Sequence, residues 1–246
     1  LNIVGVSHHI VDPNELLGLL DNIFNSDFAS TKVSEKTWNK FDVINEQVIA
    51  HDTDIGVEDD FLKLKDHSVE IKTFSVSGYP PEWTLSQMGE LIGDTFRDSR
   101  QLPYPFIMHY GVCIPKQSNA VSKIAIKANM VEKQLCSPVG RYIPDIEREH
   151  AELQFTRQNL AKGERLVQTQ FSIVLFSPRG EMASAEQTLK TMFSSQLFKV
   201  ESNKGTQLHS LLTILPLSWS GRGIKALTEF KKLRTTISTE AVNLVP

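Results

Sequence analysis

The side chains of this chain that could do chemistry fall into a few local groups, each of which can be tested against the spacing its chemistry demands. Seven histidines, led by His8-His9, raise the question of a metal. Zinc needs three or four converging ligands, and neither an H-x-x-x-H nor a C-x-x-C spacing occurs. His150 lies among Glu147, Glu149 and Glu152 but matches no zinc-helix signature, so this stretch reads as a solvated acidic face. The acidic stretch 51–60 superficially resembles a calcium loop through Asp52 and Asp54. Gly56 comes one place early for the sharp turn, and Leu62 and Lys63 stand where the closing bidentate Glu is needed.

Nucleophile and phosphate motifs fare no better. Ser220 precedes Gly221, but Ser218 replaces the first glycine of a G-x-S-x-G elbow. Gly221-Arg222-Gly223 offers backbone N–H groups to an anion, with a flexible turn as the plainer reading. A strand at 171–176 leads into Ser177-Pro178-Arg179-Gly180-Glu181, the place for a phosphate loop. Proline removes an N–H there, no Lys-Ser/Thr pair follows, and Glu181 repels phosphate. From Lys204 to Arg234 six basic residues face one acidic residue, Glu229, with Trp219 and Phe230 interspersed. Leu227 and Phe230 at helical spacing point to core contact there. Direct nucleic-acid contact is therefore the weaker reading beside a basic face meeting protein or anionic lipid. The sequence predicts no catalytic, no cofactor-binding and no metal-ligating residue.

The elements that would position such groups are legible from periodicity. Asp12 as N-cap and Pro13 at the first helical position open a helix over 12–24, with Leu16, Leu17, Leu20, Ile23 and Phe24 in one stripe. Runs at 61–65 and 68–76 predict a hairpin about Asp66-His67. Gly78-Tyr79-Pro80-Pro81 ends the second strand, and a helix over 84–96 follows with Leu85, Met88, Leu91, Ile92 and Phe96 inward. The apolar run 106–114 reads as a buried central strand.

Val121, Ile124, Ala128, Val131 and Leu135 form a narrow helical seam, and Ile146, Leu153 and Leu160 recur seven apart. Residues 118–162 thus read as a helical hairpin, either standing away from the sheet as a partner-facing element or simply packed on it, with Tyr142 a candidate contact in its turn. Val167, Thr169, Phe171, Ile173 and Leu175 share one face of a strand. A helix through Phe193 and a short strand at 197–200 follow. The fold class is α+β: a mixed or largely antiparallel sheet packed by helices, with a central helical hairpin. Strand–turn–helix blocks at 73–96 and 171–193 suggest duplicated half-domains, about 1–115 and 165–235.

Composition fits a folded chain without a membrane span: 246 residues, 40% hydrophobic, 22% charged, net charge −3. The charge is unevenly placed. Residues 1–100 carry 8 Lys/Arg against 18 Asp/Glu, and residues 101–246 carry 18 against 11, a split suited to oppositely charged contact faces. Cys113 and Cys136 have no paired spacing and read as small apolar residues of a reducing compartment. The start at Leu1 and the end at Pro246 suggest an excised domain.

The stretches VSEKTWNKFDVINEQV, FSVSGYPPEWTLSQMGELIGDTFRDSRQLPYPFIMHYGVCIP and RYIPDIEREHAELQFTRQNLAKGERLVQTQFSIVLFSP resemble the amino-terminal region of TraC-type conjugation ATPases. These belong to F-type type IV secretion systems and are related to the larger VirB-type secretion ATPases. The resemblance runs nearly the whole length of the chain and carries no catalytic motif. It implies a non-catalytic domain over 1–235 and a lead-in at 236–246 to an absent motor, which would use ATP and magnesium. It further implies docking to inner-membrane secretion-channel subunits and self-assembly, with a hexamer open to the full-length protein. The place is the cytoplasmic face of the bacterial inner membrane, and the process pilus assembly and plasmid DNA transfer. The alternatives are a nucleic-acid-contacting module using 204–234, and a stand-alone phosphoester- or nucleotide-acting enzyme with a scattered site.

Overall fold

Strand β5 (Leu166–Pro178) is the axis of the sheet in the computed structural model, which describes residues 11–25, 36–49, 53–64, 68–80, 82–84, 89–92, 101–138, 143–216 and 218–244. Its neighbours are β3 (Val69–Gly78) and β4 (Phe106–Cys113), both antiparallel to it. β1 (Ile55–Val57) and β2 (Leu62–Leu64) extend the sheet beyond β3, so the order runs β1-β2-β3-β5-β4. The expected hairpin forms, with Leu62 opposite Ile71 and Leu64 opposite Val69. Two short strands fill remaining edges: β6 (Lys199–Ser202) beside the far half of β3, and β7 (Arg234–Ile237) beside the start of β5. Every described pairing is antiparallel, and strands from both sides of residues 114–165 join this one sheet.

Period two divides β5 between two apolar layers. Phe171, Ile173 and Leu175 face one way, with Phe74 and Val76 of β3. They pack on Ala185, Leu189 and Phe193 of α6 (Met182–Ser195) and on Leu91 of α3 (Gly89–Ile92). Val174 and Phe176 face the other way with Val69 and Ile71. There they meet Leu17, Leu20 and Phe24 of α1 (Pro13–Phe24), Val48 of α2 (Ile44–Val48), and Leu211 and Ile214 of α7 (Gln207–Ile214). Helices therefore cover both faces, and each fully buried Leu, Ile or Phe contributes about 1.5–3 kcal/mol.

α1 starts where its residues predict. Asp12 Oδ1 accepts from the N–H groups of Asn14 (2.7 Å) and Glu15 (2.9 Å), and Glu15 Oε2 accepts from Asp12 N–H (3.0 Å), a complete capping box. The helical pair forms as α4 (Gln117–Leu135) and α5 (Pro144–Ala161). β7 leads directly into α9 (Ser238–Asn243), and Ile237, Ala241 and Leu244 are buried in the fold.

Three local expectations are corrected. The run 106–114 is a strand at the sheet's edge, half-buried along its length. Its apolar residues are needed because Phe106, Met108 and Tyr110 pack under the aromatic layer while Trp219 covers the opposite face at Gly111. The strand expected at 197–200 begins at Lys199, since Leu197 takes a left-handed φ of 63° and Phe198 N–H bonds back to Phe193 O at 3.0 Å, closing α6. Gly221-Arg222-Gly223 is the first turn of α8 (Gly221–Glu229), with Ser220 Oγ accepting from Gly223 N–H. His8, His9, His51, Asp52, Leu85, Met88, Phe96 and Tyr142 lie outside the described residues, as does most of the expected helix over 84–96; residues 89–92 of it are helical.

Candidate functional site

The α4–α5 pair is clamped to the body at its base. Gln117 bridges both backbone groups of Leu166, accepting from its N–H (3.0 Å) and donating to its carbonyl (2.9 Å). Just after α5, Glu164 accepts from the hydroxyls of Ser238 and Thr239 at the start of α9. Those bonds hold the Glu164 carboxyl below the usual carboxylate range. Beyond the base, the helices meet through a thin seam of Ala128, Val131 and Leu153, flanked by Ile124 and Ile146 and separate from both sheet layers. Lys127 pairs with Glu149 across it at 2.6 Å. The outer faces carry large apolar side chains: Ile126 (61% exposed) and Met130 (58%) one turn apart on α4, and Phe155 (53%) on α5.

The sheet holds a different kind of polar chemistry. Lys72 sits on β3 with only 2% of its side chain exposed and pairs with Asp60 and, at 2.7 Å, with Glu186 of α6. Lys190 also reaches Glu186, at 2.6 Å. Burial works to raise the Glu186 and Asp60 carboxyls. The hydrogen bonds and charges of Lys190 and Lys72 on the first, and of Lys72 on the second, outweigh it and leave both below the ordinary range.

On the opposite face, β2 pairs with β3 only as far as Ile71 and β6 only from Phe74 onward, leaving the edge of β3 open at Thr73. Gln207 Oε1 accepts from Thr73 N–H (2.7 Å) and Oγ1 (2.8 Å), and Asn203 N–H donates to Thr73 O (3.1 Å), so two amide residues stand in for a missing strand. Lys232 and Ser75 both donate to Asn203 Oδ1, at 2.6 and 2.8 Å. Burial lowers the Lys232 ammonium, with the Glu201 charge opposing. Farther along, His109 lies opposite Ser172 on β4 and β5, and its ring is 5.5 Å from that of Trp219. Burial holds the imidazole below its ordinary value.

The basic segment 204–234 does not form one stripe. Lys204 lies 4.0 Å from Asp60, Lys225 4.0 Å from Glu229 on α8, Lys232 is turned inward, and Arg234 belongs to β7. Leu227 is buried as expected, whereas Phe230 is half exposed, 5.0 Å from the His209 ring. The strand–turn–helix corner at 177–181 does not suit a nucleoside phosphate. Glu181 stands at the N-terminus of α6 with its carboxylate accepting from Tyr104 Oη at 3.2 Å, and Met182-Ala183 follow.

Among the described residues, no group of three His, Cys, Asp or Glu side chains is placed to hold a metal ion. No described helix is long and apolar enough to cross a membrane. A cavity that spacing did not reveal lies beside Tyr79, Pro80 and Trp83, facing Arg234. Its trace in the sequence is the pairing of aromatic residues with prolines in Gly78-Tyr79-Pro80-Pro81-Glu82-Trp83, which reads locally as a strand terminator only.

A family model described as TraC protein matches residues 1–219. Protein TraC of Escherichia coli (strain K12) is 22% identical over 251 residues, a match that covers 98% of this chain and 29% of that relative. The chain therefore spans less than a third of the length of the curated relative it matches. The likeness is spread along an α+β body and its helical pair, and the family match takes in both. By that match over most of its length, this chain belongs to the TraC family, a family of conjugative transfer proteins.

Proposed function

We propose that this chain is a non-catalytic docking and assembly module of a conjugation ATPase, with the α4–α5 pair as its partner-facing element. One observation carries the reading. Ile126, Met130 and Phe155 remain exposed on a pair that is fastened at its base and shares no apolar layer with the sheet. Large apolar side chains held out on a rigid, otherwise polar element suit a protein contact. The partners in this reading are inner-membrane subunits of a type IV secretion channel and further copies of the protein, at the cytoplasmic face of the membrane. ATP and magnesium belong to the remainder of the longer protein.

The test is capture of channel subunits from detergent-solubilised inner membrane of a host carrying the conjugation system, with light scattering to follow self-assembly. The triple variant Ile126→Asp, Met130→Asp, Phe155→Asp is expected to lose about tenfold or more in capture with an unchanged thermal melt. Undiminished capture by the triple variant overturns the role of the pair. Failure of the unmodified chain to bind either channel subunits or itself overturns the docking reading.

A further inference from the structure

The two ends of the sheet are protected unequally. β1, at one end, is three residues long and flanked by Asp54 and Glu58. β4, at the other, presents eight residues in unbroken register with β5, without a bulge, an internal proline or a charge. Short length, charge, proline and bulges are the usual devices that keep an open edge from pairing. β4 has none of them.

The alternation of the ladder decides which backbone groups face outward. Phe176 N–H donates to Pro105 O at 3.0 Å, in the same register that pairs the two strands. Bonded pairs therefore recur at Ile107–Val174, His109–Ser172 and Gly111–Gln170. The N–H and C=O groups of Phe106, Met108 and Tyr110 point away from β5, and none has a partner among the described residues. The next outward carbonyl, that of Val112, is closed off by Trp219, whose Nε1 donates to it at 3.2 Å. At the other end β4 begins at Phe106, directly after Pro105. The open window is thus 106–110, centred on Met108.

That window is complementary to itself. About a two-fold axis at Met108, an antiparallel second copy sets Phe106 against Tyr110, Met108 against Met108 and Tyr110 against Phe106. Every outward N–H then meets an outward C=O, and aromatic side chains stand opposite one another. The charge pattern agrees. A two-fold axis sets a segment against itself, so any charge near it meets its like. Residues 101–115 contain no Asp, Glu, Lys or Arg, in a chain that is 22% charged. An acidic or basic strand of another protein finds no opposite charge there. We propose that two copies of this chain pair through β4, antiparallel about Met108, and so join their sheets into one. The proposal gives the self-assembly of the docking reading a surface and rests on that part of it alone, using no residue of the α4–α5 pair.

Amide exchange followed residue by residue at about 20 µM and about 500 µM, with sedimentation at both, tests it. A dimer is expected at the higher concentration, with exchange slowed at Phe106, Met108 and Tyr110. Ile107 and His109, bonded to β5, are expected to be slow at both. Met108→Pro removes an outward donor and spares the β5 ladder, a position where an edge strand tolerates proline. It is expected to weaken dimerisation about tenfold or more, with slow exchange at Ile107 and His109 reporting an intact strand. The exchange pattern of the unmodified chain decides the matter even where that variant is unstable. A chain still monomeric at about 500 µM overturns the proposal, as does a dimer whose Phe106, Met108 and Tyr110 amides exchange as in the monomer. Slowing of these amides only when channel subunits are added assigns the edge to another protein and also overturns it. Loss of the dimer in the Ile126→Asp, Met130→Asp, Phe155→Asp variant but not in Met108→Pro returns self-assembly to the pair, which overturns the proposal and leaves the docking reading standing. Capture of channel subunits by a monomeric Met108→Pro chain supports both.

Discussion

The sheet body and the α4–α5 pair are built on opposite principles. In the body, β5 buries both faces under helices, and its partners are recruited from segments about 60 to 110 residues away in the chain. In the pair, consecutive helices meet over three buried side chains, and the large apolar residues Ile126, Met130 and Phe155 remain outside. Hydrophobic burial accounts for most of the first arrangement, whereas the second hides Ala128 and leaves Ile126 and Met130 outside. The contrast teaches that apolar burial is concentrated in the sheet body and is thin in the pair, the two being joined at the Gln117 and Glu164 clamps.

That division breaks if core and pair respond alike to substitution. The largest effect is expected from Phe171→Ala, which removes a ring making edge-on contacts with Tyr110, Phe193 and Phe198. A loss of about 3–5 kcal/mol in urea unfolding, reported by signals from the body, is the expected outcome. A loss under 1 kcal/mol would place the cooperative core elsewhere.

Lys72→Ala comes next, at about 3 kcal/mol, because it leaves two carboxylates beside β3 without their shared cation. Lys72→Met keeps the volume and is expected to recover part of the loss. The pH dependence has a definite sign. Asp60 and Glu186 ionise more readily in the folded state than in the unfolded chain, so their contribution is present above the ordinary carboxylate range. It disappears as pH falls through their lowered folded values. Unfolding measured from pH 6 down to pH 3 should therefore show a steeper decline for the unmodified chain than for Lys72→Met, and parallel curves would refute the linkage.

Smaller and more local effects belong to the pair. Leu153→Ala opens the middle of the seam. Faster amide exchange confined to α4 and α5 is expected, with a global change of about 1–2 kcal/mol at most. Exchange that rises equally throughout β5 would show one cooperative unit. Smallest is Gln117→Ala, expected to cost about 1 kcal/mol by leaving the Leu166 N–H and carbonyl without this partner. Loosening of the base without melting of either helix, read by amide exchange at Leu166, is the outcome that preserves the comparison.

Much of the local structure was legible because its causes are local. Asp12 and Pro13 announce the start of α1 within two residues, and the 3-4-3-4 seam announces α4. The same reasoning placed a strand at 106–114 but made it central, because an apolar run does not distinguish a strand covered by neighbours from an edge strand covered by aromatic side chains. Lys72 illustrates the opposite difficulty. Within Glu70-Ile71-Lys72-Thr73 it alternates like an exposed charge, and only α6, about 110 residues later, supplies the Glu186 that lets it be buried. The cavity beside Tyr79 and Trp83 was illegible for a related reason: Tyr79 and Arg234 are separated by 154 residues and line it together only because β3 and β7 share one edge of β5.

By itself, the sequence determined the longer elements, α1, α4, α5, α6, β3, β4 and β5, and where α1 begins, but not the short α2, α7, α9, β1 and β7. It also determined that the familiar phosphate, zinc and nucleophile spacings do not occur, and that the chain resembles one family over nearly its whole length. These follow from backbone dihedrals, side-chain period and motif spacing, all of which act over a few residues. Tertiary structure alone decided that β5 is buried on both faces, that β4 closes an edge, that Asn203 and Gln207 complete a gap in β3, and that Arg234 lines one cavity with Tyr79 and Trp83. Each of these depends on which distant segments become neighbours. That choice is made by total apolar burial and by satisfaction of every buried polar group, neither of which can be evaluated one segment at a time.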